Sequence, residues 1–406
     1  MDASVRVAAV AEDRGPVIDC LANAKALAPA IAAAVPRIEA NRELPQDLLD
    51  ALHAAGLYRM LFPRPLGGQE LALPVYIRVI EEIAKADAST AWCVAQSSVC
   101  STITASLDSA TAWDMFGKDQ RAVLNWGPQG RTAKAVAADG GYRITGRWPF
   151  ASGSRHATWM AAHCNVSEAD GTPRVDAEGR PVDRTFIFPR ASVEIIDNWY
   201  VMGLKGTGSD SYAVNDLFVP EARSMTVFGR NPAERRVHGP LYLFTVHQLF
   251  GASFAAVALG IVRGALDAFV ELAKTKVPAP TGGSTVLRDN AVVQSQVGVA
   301  QTQLAAARVF LLQALEEVWA EALDGAPSLE KRVQLRMAES NATQTAKQVM
   351  DIAYHGAGAT AIFENNPFER RFRDLHTVTQ QVQAHFSVFE VIGKHFLGLP
   401  LTSRLI

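Results

Sequence analysis

Apolar side chains recur at helical spacing towards both ends of the chain. From about residue 19 to 116 they return every three to four positions, as at Leu48, Leu49 and Leu52. This period is typical of helices that bury one face. The same period covers four long stretches further along, at 248–275, 291–323, 330–354 and 367–399. The pattern predicts a helical first domain and a C-terminal bundle of four long helices.

The middle of the chain follows a different pattern. Between about residues 121 and 236, apolar and polar residues alternate along 142–148, 185–188 and 212–219, and Gly, Pro, Asn and Asp separate these runs. Alternation interrupted by turn residues is typical of β-strands. We therefore predict a mainly α protein with a middle β domain. Its domains are expected at residues 1–120, 121–236 and 237–406.

Composition and charge narrow the classes of function. A chain of 406 residues with 49% hydrophobic content can bury sizeable cores, and a net charge of −2 provides no basic field for nucleic acid. The sequence contains no run of about 18 uninterrupted apolar residues, so it predicts no membrane span. The first 15 residues carry acids where a secretory signal needs a basic and then an apolar run. We expect a cytoplasmic protein that acts on a small molecule.

The four cysteines do not indicate a metal or disulfide framework. Cys20, Cys93, Cys100 and Cys164 show no Cys-x-x-Cys spacing and no clustering with histidine. Zinc sites and disulfide scaffolds both need such groupings. We therefore predict four buried thiols and no metal site.

The segment 143–159, RITGRWPFASGSRHATW, is the best candidate for a ligand site. Gly146 and Gly153 permit close approach of the backbone or a positive φ, and Phe150 can cover the face of a planar ligand. The hydroxyl of Ser152 then lies within reach of the edge of such a ring. The alternatives remain open at this point: the aromatic residues can fill a core, and Ser152 can cap its own turn.

Four stretches of sequence, taken in their order, carry a family resemblance. They are 43–68 (ELPQDLLDALHAAGLYRMLFPRPLGG), the segment 143–159, 203–221 (GLKGTGSDSYAVNDLFVPE) and 355–374 (HGAGATAIFENNPFERRFRD). Together they resemble the acyl-CoA dehydrogenase superfamily over nearly the whole chain. The Phe-Ala-Ser-Gly sequence, the Asn-Trp-Gly at 125–127 and the run at 88–92 are most similar to its flavin-dependent monooxygenases. These include hydroxyphenylacetate, secosteroid-phenol and indole-acetate hydroxylases.

The resemblance implies a fold and an activity. The fold is an N-terminal helical domain, a middle β-barrel-like domain and a C-terminal four-helix bundle that assembles as a homotetramer. The activity is that of a two-component monooxygenase: a separate flavin reductase supplies reduced FMN or FAD, and the chain uses O2 to hydroxylate an aromatic or heteroaromatic small molecule. The oxygen is carried as a C4a-hydroperoxyflavin, which survives only in a dry site.

The resemblance also assigns residues to the flavin ring. Ser152 matches the position that hydrogen-bonds the flavin near N5, where it helps to protect the hydroperoxide. The other residues expected to shape the ring site lie close to it in the sequence: Asn125, Trp126, Gly127, Phe150 and Gly153.

A second cluster is assigned to the phosphate or adenylate end of the flavin. Gly356 and Gly358 let backbone amides approach a phosphate, and Arg373 can bind one through its guanidinium group. In the family this region often meets the cofactor across a subunit interface. Arg373 and the neighbouring Asp374 could instead pair with each other.

The acid that an acyl-CoA dehydrogenase needs is absent from the matching positions. Such an enzyme uses a carboxylate to remove the α-proton of its substrate. The usual position falls near Gln383, and an alternative one falls near Phe250 or Gly251. A neutral amide cannot act as a general base at neutral pH, so dehydrogenation of an acyl thioester is disfavoured.

The substrate side of the site rests on five residues. Several phenol hydroxylases of the family place a histidine where Gln381 stands, so the sequence favours an indole-type ring over a phenol. His385 follows nearby, although a helix histidine is often structural. The residues expected to line the substrate cavity, with Gln381 and His385 facing it, are Trp92, His247 and Gln248. Trp92 could equally belong to the core.

Two other functions stay open at this stage. The first is an acyl-CoA dehydrogenase or oxidase that uses FAD and takes its base from an unidentified residue. The second is a flavin-free or flavin-storing binding module, because a fold does not guarantee an activity.

Overall fold

A computed structural model describes residues 18–229, 231–278, 285–401 and 406. The first 15 residues, on which the expectation about a secretory signal rests, lie outside these ranges. Helices and strands follow one another in the predicted order of helical, β and helical regions.

Five helices form the N-terminal region. Asp19 caps the first and Asp87 caps the fourth, where its side chain accepts the backbone N–H of Thr90 at 2.7 Å. Such caps satisfy amide groups that the first turn of a helix leaves unpaired. All residues of the fourth helix are buried, so it forms the centre of this region. The five helices are α1 (Cys20–Asn41), α2 (Gln46–Ala54), α3 (Leu73–Ala86), α4 (Ala88–Ser101) and α5 (Ser109–Ala112).

The middle region is a single eight-stranded sheet. Its order is β6-β7-β3-β2-β4-β5-β8, with β1 beside β4, and the β1–β4 and β2–β4 pairs are parallel. The sheet curls around its own core, where Trp148 stacks on Tyr212 and Tyr142 contacts Phe186. The strands are β1 (Leu124–Trp126), β2 (Lys134–Ala138), β3 (Gly141–Trp148), β4 (Trp159–Ser167), β5 (Asp183–Pro189), β6 (Glu194–Ile196), β7 (Ser211–Pro220) and β8 (Ser224–Thr226).

The C-terminal bundle is built around α6, which packs against α3, α4, α8 and α9. The stretch Val246–Ala273 of α6 is long and apolar enough to cross a membrane, but 89% of its most apolar 18-residue window, which has a mean hydropathy of 1.8, is buried inside the protein. Packing against other helices therefore accounts for its apolar length. The bundle helices are α6 (Val246–Thr275), α7 (Ala291–Asp324), α8 (Leu329–Ala357), α9 (Pro367–Val378) and α10 (Val388–Phe396).

The prediction of one continuous helix over 367–399 is wrong. The helix stops at Val378, turns occupy 379–387, and α10 begins at Val388. Side chains replace the helical partners of the backbone in this turn segment. Gln381 accepts the Gln383 backbone N–H at 2.7 Å, and Gln344 of α8 donates to the carbonyl of Ala384 at 3.1 Å. Because the second partner lies 40 residues away, local periodicity could not reveal the break.

The cysteine prediction is confirmed. All four thiols are free and buried. Burial raises the pKa of Cys20 to about 11 and the pKa values of the other three still further. Within the described ranges, no group of three or more histidine, cysteine or acidic side chains is placed to hold a metal ion.

Candidate active site

A cavity of about 500 Å³ opens between α4, the sheet and the bundle. The volume lies within the range of about 300–1,000 Å³ that is usual for small-molecule sites. Its wall comes from α4, the loop after β3, the loop before β7, the start of α6 and the turn segment after α9. Aromatic rings dominate this wall: Trp92, Trp126, Phe150, Trp199, Phe228, Phe250 and Phe254.

Ser152 lies in this wall and belongs to a chain of hydrogen bonds. The indole N–H of Trp92 donates to Ser152 Oγ at 3.0 Å, and Ser152 Oγ lies 2.7 Å from Ser209 Oγ. Ser209 Oγ is also 2.7 Å from Thr207 Oγ1, which donates to the carbonyl of Leu204 at 2.8 Å. The chain ties α4 to two loops of the middle domain through side chains that are almost fully buried.

The carbonyl at its end fixes the direction of this chain. A carbonyl oxygen cannot donate, so the single hydroxyl hydrogen of Thr207 points at Leu204 and Thr207 must accept from Ser209. Ser209 must then accept from Ser152. The hydrogen of Ser152 is therefore directed at Ser209, and towards a ligand Ser152 offers only a lone pair.

Phe150 presents its ring to the cavity from a constrained backbone. Its φ is +55°, in the left-handed region, and its side chain is 61% exposed. The backbone that follows it is held by two hydrogen bonds, from Ala151 N–H to the carbonyl of Asp210 at 3.0 Å and from Gly153 N–H to the carbonyl of Thr207 at 2.8 Å. A large exposed ring held in a strained conformation at a cavity wall indicates a surface built for a flat ligand.

Asn125, Gly127 and Gly153 shape this loop from behind without lining the cavity. The Asn125 amide donates to the Gly153 carbonyl at 3.1 Å and accepts from the hydroxyl of Ser97 at 2.9 Å. Gly153 has a φ of +72°, and any β-carbon on Gly127 would overlap the carbonyl of Pro149. The glycines are required by the close approach of two backbone segments.

The two tryptophans predicted at the site are both placed in its wall. Trp92 stacks on Phe254, with ring centroids 3.8 Å apart and planes 6° from parallel. Trp126 is held by its carbonyl, which accepts from the side chain of Gln96 at 3.2 Å. The cavity residues that sequence reasoning missed include Gln96, Thr207, Ser209 and Phe254. For Thr207 and Ser209, the available signal was their position within the stretch 203–221 that carries the family resemblance. Gln96 and Phe254 had no such signal.

The opposite wall is made by the start of α6 and the turn segment. His247 Nδ1 lies 3.1 Å from Gln383 Nε2, and the Gln381 amide N–H donates to Gln383 Oε1. The predicted residues His247 and Gln381 are thus brought together at the cavity. Gln383 was predicted only as the position of a missing base, and it also lines the cavity.

A buried ion pair stands behind this wall. Arg336 of α8 contacts Glu339 at 2.7 Å, and its guanidinium donates to the backbone carbonyls of His247 at 3.1 Å and Gln383 at 3.4 Å. Both side chains are 1% exposed. Burial raises the pKa of Glu339 to about 8, against the opposing effect of Arg336. A β-carbon on Gly251 would overlap this pair, which accounts for the glycine at that position.

Gln248 and His385 do not line the cavity. Gln248 forms a capping box with Thr245 at the start of α6: its side chain accepts from Thr245 N–H at 2.8 Å, and its own N–H donates to the Thr245 hydroxyl at 3.2 Å. His385 is exposed, and its Nδ1 lies 2.9 Å from the hydroxyl of Ser387. The structure therefore gives both residues local structural contacts.

The cluster predicted for the phosphate end also lies away from this cavity. Gly356 of α8 faces the ring of Phe269, which a β-carbon would overlap, and Gly358 ends the helix with a φ of +57°. Arg373 does not pair with Asp374; it pairs with Glu369 at 2.6 Å and with Glu39 at 3.3 Å. Their assignment to a phosphate stays a prediction.

Asp374 connects α9 to the loop before β7, which lines the cavity. Its Oδ1 accepts the backbone N–H of Leu204 at 2.7 Å, and Arg370 lies between it and Asp87, the cap of α4. Burial raises the pKa of Asp374 to about 7, although Arg370 opposes this shift. Asp374 thus holds Leu204 in place, and the carbonyl of Leu204 accepts the last hydrogen bond of the series that begins at Trp92.

His156, in the loop between β3 and β4, links this loop to the N-terminal domain. Its Nε2 lies 3.1 Å from the hydroxyl of Tyr58, and burial lowers the pKa of His156 to about 4. The unfolded chain therefore takes up this proton first as the pH falls. Stability from the neutral imidazole is complete above about pH 6.5 and is lost towards pH 4.

We expect His156 to lower the free energy of unfolding by about 1–2 kcal/mol between pH 7 and pH 5, while the raised pKa values of Glu339 and Asp374 act in the opposite direction. Urea denaturation at the two pH values measures the difference. His156→Gln should raise the free energy of unfolding at pH 5 relative to pH 7 by about 1–2 kcal/mol, whereas His238→Gln, at an exposed histidine, should leave the difference unchanged. An unchanged difference in the His156 variant would contradict the neutral, buried imidazole.

Two family models match this chain. The acyl-CoA dehydrogenase N-terminal domain matches residues 23–108, and the acyl-CoA dehydrogenase C-terminal domain matches residues 252–386. Together they cover more than half of the sequence and flank the middle sheet. The chain belongs to the acyl-CoA dehydrogenase family.

Relatives within this family narrow the similarity. An indole-3-acetate monooxygenase from Pseudomonas putida is 28% identical over 88% of this chain and 88% of its own length. The oxygenase subunit HsaA of a flavin-dependent monooxygenase from Rhodococcus jostii is 28% identical over 94% of this chain and 99% of its own. The crystal structure of a 3-HSA hydroxylase from a Rhodococcus species superimposes with a TM-score of 0.86 at 25% identity, covering 96% of this chain and 99% of that one.

These comparisons confirm the predicted family and fold class. Within the family, this chain is similar to flavin-dependent monooxygenases, as the Phe-Ala-Ser-Gly segment indicated. The roles of the individual site residues stay predictions.

Proposed function

We propose that this chain is the oxygenase component of a two-component monooxygenase. It takes reduced flavin from a separate reductase and uses O2 to hydroxylate an aromatic or heteroaromatic small molecule. The chain is a flavin-dependent oxidoreductase by its similarity to enzymes whose names carry that chemistry. The single observation that carries the finer proposal is the orientation of the Ser152 hydroxyl.

The residues at Ser152 fit a reduced flavin. Reduced flavin carries a hydrogen on N5, whereas oxidised flavin offers only a lone pair there. Because the hydrogen of Ser152 is committed to Ser209, the serine can accept from N5–H but cannot donate to a bare N5 without breaking the chain. The exposed ring of Phe150 supplies a flat apolar face beside it.

The bound flavin would supply the activation of O2, as a hydroperoxide at C4a. The chain's own residues keep this region dry and oriented. Trp92 and Phe254 form a stacked wall, and Trp92 also holds Ser152 in place through its N–H. Exclusion of water is what protects such a reactive species from decay.

Dehydrogenation of an acyl thioester lacks its base here. Phe250 and Gln383 occupy the wall at the two positions matched to catalytic acids, and no aspartate or glutamate stands among the described residues that line the cavity. Glu339 lies behind Gly251 and is paired with Arg336. This supports oxygen insertion over proton abstraction from carbon.

The test combines purified chain, reduced FMN or FAD and O2. We expect a transient absorbance of a C4a adduct and, with a reductase to recycle the flavin, a hydroxylated product from a panel of indoles and phenols. Release of peroxide alone at the rate of the buffer would refute the proposal. Anaerobic bleaching of bound oxidised FAD by an acyl-CoA would instead establish a dehydrogenase.

Three further assignments belong to this proposal. An indole-type ring is favoured because Gln381, and not a histidine, faces the cavity. Assembly as a homotetramer is supported by large apolar side chains left exposed near the C-terminal end, with Phe386 at 66% and Leu397 at 76% exposure. A cytoplasmic location stays a prediction from the sequence.

A further inference from the structure

The cavity wall carries aromatic rings and uncharged polar groups. No lysine, arginine, aspartate or glutamate is found among its described residues. The polar groups that remain on the substrate side are carboxamides: Gln96, Gln380, Gln381 and Gln383. Carboxamides can donate and accept hydrogen bonds, but they cannot neutralise a charge. His247 is the one basic side chain among the described residues of this wall.

Hydrogen bonds fix the protonation of His247 in this arrangement. The Gln383 backbone N–H can only donate, so it sets Gln381 Oε1 as the acceptor and turns Gln381 Nε2 towards Gln383 Oε1. Gln383 must then present its N–H to Nδ1 of His247. A nitrogen that accepts carries no proton, so the imidazole is neutral.

We propose that the substrate of this site is an uncharged aromatic or heteroaromatic compound without a carboxylate or other acidic side chain. The inference rests on the proposed function and deepens it. The ring is held between aromatic side chains, and its polar edge is recognised by the glutamine carboxamides. A carboxylate taken into this wall would lose its water without gaining a cation, which is among the more costly events in binding. One relative is named for indole-3-acetate, an anion, so the inference separates this chain from that relative.

Arg235 defines the strongest competing possibility. It lines a second, small cavity of about 80 Å³ that shares Phe228 and Val246 with the main one. An acidic arm long enough to pass Phe228 would meet this guanidinium. The experiment must therefore separate an acid excluded by the main cavity from an acid recognised by Arg235.

The test compares matched ligands on the full-length chain loaded with reduced flavin under anaerobic conditions. Indole is paired with indole-3-acetate, and 4-methylphenol with 4-hydroxyphenylacetate. Dissociation constants come from calorimetric titration, so the readout does not depend on turnover. We expect the neutral member of at least one pair to bind about tenfold or more tightly than its acid, because an unpaired buried carboxylate costs more than 1.4 kcal/mol.

Two variants sharpen the comparison. Gln380→Arg places a cation at the rim of the cavity and should shift the ratio of the two dissociation constants in each pair towards the acid. Arg235→Gln should leave the preference unchanged. Equal or tighter binding of the acid in both pairs overturns the inference, and so does an acid affinity that Arg235→Gln abolishes.

The two proposals fail in different ways. If the neutral rings bind but no hydroxylated product forms under reductase recycling, the monooxygenase function is refuted and the preference for uncharged ligands is retained. If the acids are hydroxylated as efficiently as the neutral rings, the preference for uncharged ligands is refuted and the monooxygenase function is retained.

Discussion

Replacing Ser152 by alanine is expected to lower the yield of hydroxylated product per reduced flavin oxidised by about ten- to a hundredfold, because a lost hydrogen bond to a buried partner costs about 1–3 kcal/mol. The variant removes the proposed acceptor for N5–H and also leaves the indole N–H of Trp92 without its partner. Flavin oxidation should continue, with peroxide replacing product. Product and peroxide are quantified together under reductase recycling.

Ser154→Ala is the matched control, since Ser154 is buried in the same loop but donates to the Gly208 carbonyl at 3.4 Å and does not line the cavity. Its product yield should stay within about twofold of the unmodified chain. Ser209→Ala tests the direction of the hydrogen bonds between the hydroxyl groups, because it leaves the hydrogen of Ser152 without its acceptor. That variant should bind oxidised flavin relatively more tightly. A Ser152→Ala variant with normal yield would contradict the role of this hydroxyl.

Replacing Arg336 by methionine is expected to lower the free energy of unfolding by about 3–5 kcal/mol, the usual cost of removing one partner of a buried ion pair. The guanidinium also holds the carbonyls of His247 and Gln383, so both sides of the substrate wall lose a donor. Urea denaturation measures the first effect. Titration with a neutral aromatic ligand measures the second, and its affinity should fall more than that for flavin.

Glu339→Gln provides the comparison for this variant. Burial raises the pKa of Glu339, so loss of its charge costs less than loss of the Arg336 charge, and glutamine keeps the shape of the side chain. The expected loss of stability is therefore smaller than for Arg336→Met. A methionine variant that keeps both its stability and its ligand affinity would show that the pair is dispensable for the wall.

The elements with a clear period were predictable from the sequence. The alternation at 142–148 and 212–219 became β3 and β7, and the predicted helix at 248–275 differs from α6 by two residues at its start. Phe150 and Ser152 could be predicted at the site because the segment 143–159 has residue types that suit a flat ligand, and Trp126 could be predicted from the family resemblance; all three line the cavity. In each case the signal lay within a short stretch of chain.

The remaining features depend on contacts between distant residues. Gln96 and Arg336 act through carbonyls 30 and 89 residues away, so neither has a local pattern that marks it. Glycine is ambiguous for a different reason. At Gly356 the same absence of a β-carbon serves either a phosphate or the ring of Phe269, and sequence alone cannot separate the two.

The interruption between α9 and α10 has a consequence for how this scaffold can diversify. Gln380, Gln381 and Gln383 stand on irregular backbone, whereas Ser152 and its hydroxyl chain are locked between two domains. Replacement of Gln380, whose side chain is exposed, disturbs no helical hydrogen bond and no core packing. Ligand preference can therefore change at the rim of this segment while the Ser152 side of the cavity is inherited intact.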